Sequence, residues 1–191
     1  MSDAPDLLAR FLADRFPGLS LNAVTSRDER WPQLRFELGG EIPNKEADRR
    51  VAQAAGRASA VFEAAFSPED DGFLSFTRWR EEDDPLLMSL LPAEVAPTRT
   101  EGEDFWEDNE PGFPFVTYTA ALHPRSIYYR TLFELIGSSE LRAWRSGRAY
   151  LVNASHPLIY HMYDDRGAVM LAAHENTLEA VRTRFADWII P

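Results

Sequence analysis

Two apolar runs joined by a short charged segment place the strongest constraint on the fold of this chain. The runs are Leu158–Met162 and Ala168–Ala172, and the segment between them reads Tyr163-Asp164-Asp165-Arg166-Gly167. Runs of this length, joined by aspartates and a glycine, predict a β-hairpin with its turn at residues 164–167. This turn is the best-defined polar feature of the sequence.

Two interpretations of the turn stay open. In the structural one, Asp164 accepts backbone hydrogen bonds, Gly167 adopts a positive φ, and Arg166 pairs with a carboxylate elsewhere to pin the hairpin. In the functional one, Asp165 and Arg166 form an exposed pair that recognises a charged ligand or partner. His161, on the preceding strand, is typical of a packed, hydrogen-bonded histidine, and its alternative role is a base or metal ligand.

Apolar periodicity along the rest of the chain predicts a single α+β domain over residues 1–191. Helices are expected at residues 5–16, 44–66, 85–91, 124–136 and 175–185, and strands at 33–38, 73–79, 115–122, 148–153, 158–163 and 168–172. We expect a mainly antiparallel sheet of about five or six strands with helices packed on it. The last three strands form a three-stranded meander, which is followed by a helix.

The negative charge is concentrated in the middle of the chain. Residues 69–110 contain 14 acids and three arginines, so this segment accounts for the whole net charge of −11. Such a field repels nucleic acids and attracts basic proteins. Residues 93–114 show no periodicity, which predicts a long acidic connection, and long connections of this kind are usually functional or mobile.

Aromatic residues lie within this acidic connection and suggest a contact surface. Trp106 is followed by Glu107 and Asp108. A tryptophan among acids can serve as the buried anchor of a protein interface. The alternative is that Trp106 simply folds the loop back onto the core.

Composition excludes several classes of function. The chain has no cysteine, which excludes disulfides and thiol chemistry, and it has no apolar run near the roughly 18 residues that a membrane span needs. Its first residues are acidic, unlike a signal peptide, so we expect a cytoplasmic protein. It has no phosphate-binding loop, zincin motif or dinucleotide fingerprint, so we expect no metal and no cofactor. Whether the chain catalyses a reaction is left open, as is its oligomeric state.

The sequence resembles a bacterial family known as domain of unknown function 3885. The C-terminal resemblance rests on the stretches 150–153, 159–167 and 178–189, which include the Tyr-Asp-Asp-Arg-Gly segment at 163–167. Residues 34–39 and 57–66 agree more loosely. The resemblance supports the fold and implies no established activity, and a weaker likeness to immunity proteins of toxin systems is analogy alone.

These observations favour a non-catalytic protein-binding module. Its acidic surface would engage a basic partner, in the manner of an immunity protein or antitoxin. The residues expected to take part are Asp164, Asp165, Arg166, His161, Trp106, Glu107 and Asp108. The alternative is a small-ligand or metal-dependent enzyme with its site at the Asp-Asp-Arg-Gly turn.

Overall fold

The computed structural model describes residues 3–21, 30–78, 85–104, 113–138 and 147–190. The helices in these ranges are α1 (Ala4–Arg15), α2 (Ala47–Ala65), α3 (Pro85–Leu90), α4 (Tyr129–Gly137) and α5 (Glu179–Arg184). The strands are β1 (Gln33–Glu37), β2 (Gly72–Arg78), β3 (Thr98–Asp104), β4 (Phe113–Leu122), β5 (Gly147–Asn153), β6 (Leu158–Asp164), β7 (Gly167–Ala172) and β8 (Ile189–Ile190). Short 3₁₀ turns precede α2, α4 and α5.

The strands form one sheet in which every neighbouring pair is antiparallel. The order across the sheet is β3-β4-β2-β5-β6-β7-β1-β8. The described part of the chain therefore has eight strands, and the prediction of five or six was wrong. The two strands that the sequence did not reveal are β3 and β8, one at each end of the sheet. Edge strands are often charged or very short, and both apply here: β3 is rich in charged residues and β8 has only two residues, so neither shows an alternating apolar pattern.

The acidic connection predicted over residues 93–114 is also corrected by the structure. Strand β3 occupies much of it and pairs with β4 from Thr98 opposite Thr119 to Asp104 opposite Phe113. Residues 98–104 therefore form a strand at the edge of the sheet, and we call the consecutive antiparallel strands β3 and β4 the acidic edge hairpin. The sequence Thr-Arg-Thr-Glu-Gly-Glu-Asp lacks the apolar residues that usually indicate a strand, so the backbone pairing was not predictable from it.

Both faces of the central strands are buried. On one face, α2, α4 and α5 cover side chains such as Phe76, Tyr160 and Met170. On the other face, α1 and the residues that follow it cover Phe73 and Ile159. Burial on both sides explains the continuous apolar runs of β6 and β7, which a half-exposed strand would interrupt with polar residues.

An aromatic cluster joins helices α2 and α4 to the sheet. Phe62 of α2 lies 5.8 Å from Phe133 of α4 and 6.2 Å from Tyr160 of β6, measured between ring centroids. The Phe133 and Tyr160 rings meet edge to face at 5.7 Å, and the Tyr160 hydroxyl donates a 3.2 Å hydrogen bond to the carbonyl of Ala58. The small side chain of Ala58 brings the backbone of α2 within reach of the sheet.

The C-terminal part agrees with the sequence prediction. Strands β5, β6 and β7 are consecutive and antiparallel, and a helical segment follows from Glu175 to Arg184. The predicted helix at 124–136 is divided into a 3₁₀ turn at Pro124–Ser126 and α4. Within the described ranges, no helix combines the length and apolar character required to cross a bilayer.

The aromatic cluster makes a prediction about stability. We expect Phe133→Ala to lower the free energy of unfolding by about 3–5 kcal/mol, because it removes a ring that is only 1% exposed and leaves a cavity. Urea denaturation followed by circular dichroism measures the change. Tyr128→Ala changes an aromatic residue just before α4 that is 64% exposed; it is the control and should lower the free energy of unfolding by less than about 1 kcal/mol. Equal losses in the two variants would contradict the packing described here.

Candidate functional site

The predicted hairpin turn is present between β6 and β7. Asp164 pairs with Gly167 across the strands, and a register shift lies between Met162 and Asp164. The carboxylate of Asp164 accepts a 2.7 Å hydrogen bond from the backbone nitrogen of Arg166 and a 2.8 Å bond from its Nε. Asp164 therefore organises the turn as expected, but Arg166 folds back onto it and does not reach a distant carboxylate.

Asp165, and not Arg166 as predicted, forms the ion pair that attaches the turn to another element of the fold. Its carboxylate lies 2.7 Å from Nε of Arg50 on α2, and the two side chains are only 28% and 15% exposed. Arg50 also donates a 3.1 Å hydrogen bond to the carbonyl of Ile42. The turn is further attached to the end of β1, because the backbone nitrogen of Leu38 donates to the carbonyl of Arg166 at 2.9 Å.

Gly167 is required for a different reason from the one predicted. In the described chain, the glycines with positive φ are Gly18 and Gly40, so Gly167 does not adopt a left-handed conformation. A Cβ atom at this position would overlap the hydroxyl of Tyr163 and lie 2.6 Å from the carbonyl oxygen of Phe36. Because Gly167 has no side chain, the Tyr163 ring can lie over the start of β7. The expectation of a positive φ at Gly167 did not include this steric requirement.

His161 connects two strands where their backbone pairing stops. The described pairing of β5 with β6 runs from Asn153–Leu158 to Leu151–Tyr160. Beyond it, Nδ1 of His161 lies 2.9 Å from the carbonyl oxygen of Ala149. A carbonyl oxygen only accepts, so Nδ1 carries the proton and Nε2 of the neutral ring is an acceptor.

The surroundings of His161 keep the ring uncharged. Burial lowers its pKa to about 4, although the hydrogen bond to Ala149 opposes this shift. Its ring stacks on Tyr150 with centroids 4.6 Å apart. A histidine with this pKa is neutral at pH 7, so His161 is better suited to holding β5 and β6 together than to proton transfer near neutral pH.

The structure adds polar residues that the sequence analysis did not select. Arg148 and Tyr150 share one face of β5. On the neighbouring strand β6, the ring centroids of Tyr163 and His161 are 6.3 Å apart. Burial raises the pKa of Tyr150 to about 12, and the neighbouring Arg148 opposes the rise. The sequence could have indicated that Arg148 and Tyr150 are neighbours, because they are two residues apart in a predicted strand and such residues share a face of the sheet.

A second polar network joins three loops at the opposite end of β6. Asp70 is 5% exposed and accepts hydrogen bonds from the backbone nitrogen of Ser67 at 2.7 Å and from Nδ2 of Asn153 at 2.6 Å. Nδ1 of His123 lies 3.1 Å from the carbonyl of Asp70. Across the residues described, no group of three or more His, Asp and Glu side chains is arranged to hold a metal ion. The hydrogen bonds of this network connect the loop before β2 to the end of β5 and to the residue that follows β4.

The other predicted contact residues lie between β3 and β4 in the sequence. Trp106, Glu107 and Asp108 lie outside the described residues. In the neighbouring part of β3, Arg99 forms an ion pair with Glu101, whose side chain is 71% exposed. The hairpin turn and the acidic segment thus belong to different parts of the sheet: β3 is its first strand, while β6 and β7 are fifth and sixth in the order.

These features define an α+β protein with an eight-stranded antiparallel sheet in its described ranges, helices on both faces and an internally paired hairpin turn. The chain belongs to the family described as Domain of unknown function (DUF3885), whose model matches residues 8–191. No curated protein and no solved structure shows a significant match to it.

The two ion pairs of the turn should differ in their contribution to stability. We expect Asp165→Asn to lower the free energy of unfolding by about 1–2 kcal/mol, because the pair with Arg50 is shielded from solvent. In an Arg50→Met background the same change should cost much less. Arg166→Met is the matched control and should cost under about 0.5 kcal/mol, since that arginine is 73% exposed. Denaturant titrations that gave no coupling between Asp165 and Arg50 would refute the pinning role.

The low pKa of His161 predicts a loss of stability in mild acid. The unfolded chain binds a proton near pH 6.5 and the folded chain only near pH 4, so acidification favours unfolding between these values. The contribution is complete above pH 6.5 and decreases by roughly 3 kcal/mol as the pH falls to 4. His161→Gln should remove this part of the pH dependence, whereas His174→Gln, at an exposed histidine, should retain it. Unfolding free energies measured from pH 7 to pH 5 provide the test, and identical slopes in wild type and His161→Gln would be the contrary result.

Proposed function

We propose that this protein is a non-catalytic binding module whose acidic edge hairpin engages a basic protein partner, in the manner of an immunity protein or antitoxin. The observation that carries the proposal is the position of β3. It is the terminal strand of the sheet, and it leads directly into the acidic residues that the sequence analysis selected.

The edge position supports binding because, among the described residues, β3 pairs with a strand on one side only. β3 pairs with β4 on one side, and Arg99, Thr100 and Glu101 are exposed. Residues 98–112 contain six acids and one arginine. Negative charge on an edge strand disfavours pairing with a second copy of the same strand and favours a cationic partner.

The alternative site at the hairpin turn has less support. Asp164 and Arg166 are paired with each other, and Asp165 is paired with Arg50. The Nδ1 proton of His161 is directed to a backbone carbonyl. A ligand or metal that used the carboxylates or the guanidinium groups of the turn would have to compete with these ion pairs, which favours the acidic hairpin as the binding surface.

Charge reversal tests the proposal. We expect Glu107→Lys/Asp108→Lys to slow association with the partner by about tenfold or more at low salt and to weaken its salt dependence, because long-range attraction is removed. The partner is first recovered on immobilised protein at low salt, identified by mass spectrometry, and then purified for stopped-flow kinetics.

The control variant carries the same change of charge elsewhere. Glu69→Lys/Glu134→Lys alters two exposed acids, one in the turn before β2 and one on α4. It should keep most of the wild-type association rate, since neither position is in the edge hairpin. Association rates that are equal in the two double variants, or a partner that is not basic, would exclude the acidic hairpin as the binding surface.

A further inference from the structure

In the described part of the chain, the two edges of the sheet are formed by strands of very different length. β8 contains only two residues, whereas β3 contains seven and pairs with β4 along its whole length without a register shift. On its other side, β3 has no neighbouring strand among the described residues. Successive residues of a regular antiparallel strand direct their N–H and C=O groups to opposite sides, so alternate residues of β3 present backbone donors and acceptors at this edge.

The sequence of β3 shows how this edge is protected from pairing with other chains. The protective features that an edge strand can itself carry are short length, proline, a β-bulge and charged side chains. β8 is protected by its short length. β3 contains no proline and no bulge, so its charged side chains are the protection that remains.

Protection by charge of mainly one sign is selective. β3 contains the acids Glu101, Glu103 and Asp104 and a single base, Arg99, which forms an ion pair with Glu101 on the same strand. Like charges on adjacent strands destabilise their pairing, and opposite charges stabilise it. The edge therefore disfavours an acidic strand, including a second copy of β3, and favours a basic one.

An aromatic ring lies over the backbone of the same strand. Gly102 of β3 is opposite Phe115 of β4, and a Cβ atom on Gly102 would lie 2.5 Å from Cζ of Phe115. The tip of the ring therefore extends from β4 across β3, over the position where a side chain is missing. Phe115 is partly exposed. A side chain on a strand added outside β3 can contact this ring, and arginine is the basic residue that stacks best on aromatic rings.

We propose that β3 binds a basic, extended segment of the partner protein as an additional strand of the sheet, with an arginine of that segment against the Phe115 ring. The inference rests on the proposed function, because it takes the partner to be basic, and it specifies how the acidic edge hairpin holds that partner. In complexes formed by strand addition, backbone hydrogen bonds provide affinity and the alternating side chains provide specificity. Here the acids of β3 and the Phe115 ring select for positive charge.

Three short peptides with blocked ends test the proposal. The first alternates arginine and valine over nine residues. The second has the same sequence with N-methyl groups on its five central residues, which removes backbone donors on both edges of the peptide and leaves its charge unchanged. The third has glutamate in place of each arginine. In chemical-shift titrations of the ¹⁵N-labelled protein, we expect the first peptide to bind with a dissociation constant of about 1 mM or less, and the other two at least about tenfold more weakly.

Hydrogen exchange distinguishes strand addition from general electrostatic attraction. Saturation with the first peptide should slow the exchange of alternate amide protons in β3 by about tenfold or more, because those directed away from β4 become hydrogen-bonded. Amide protons of α4, which is distant from this edge in the sheet order, should exchange at their original rates. The N-methylated peptide at the same concentration should produce no slowing in β3.

Variants of the protein test the charge and the ring. Glu101→Lys should weaken binding of the first peptide by about fivefold or more, whereas Glu134→Lys, the same change at an exposed acid of α4, should bind like wild type. Phe115→Leu should weaken binding by about two- to fivefold, because the contact of an arginine with the ring is lost. Melting temperatures of all variants confirm that the comparison is made on folded protein.

The outcomes that overturn strand addition differ from those that overturn the proposed function. Equal affinity for the first peptide and its N-methylated form, unchanged exchange in β3, or no binding of the first peptide to the folded wild type would each exclude strand addition. None of these results excludes a basic partner that is held by charge alone. The proposed function fails instead if the two charge-reversed double variants described above associate with the partner at equal rates.

Discussion

The burial of the central strands on both faces determines how polar groups are used in this protein. In the middle of these strands a polar side chain is removed from water whichever way it points, so leaving it without a partner inside the protein is costly. Tyr160 donates to the carbonyl of Ala58, and His161 uses Nδ1 to reach the carbonyl of Ala149. Asn153 reaches Asp70 in the same way. These bonds fix the positions of α2, β5 and the loop before β2 relative to the sheet.

Charged groups at the end of the sheet are likewise paired inside the protein. The turn between β6 and β7 carries two aspartates and an arginine, but both carboxylates are matched by guanidinium groups, one within the turn and one on α2. One aspartate of this turn, Asp165, thus connects the meander to helix α2, while Asp164 and Arg166 pair with each other. The unbalanced negative charge is instead carried by residues 69–110, which include the edge strand β3.

The sequence predicted the parts of the fold that depend on local apolar patterns. The meander β5-β6-β7 and the helices near 5–16 and 44–66 were confirmed, because burial imposes a period on the sequence. Strand β3 was missed because an acidic edge strand is held by backbone pairing with β4, which leaves no periodic signal. The exchange of roles between Asp165 and Arg166 was missed for another reason: the partner, Arg50, is more than a hundred positions away, and only the folded chain brings it to the turn.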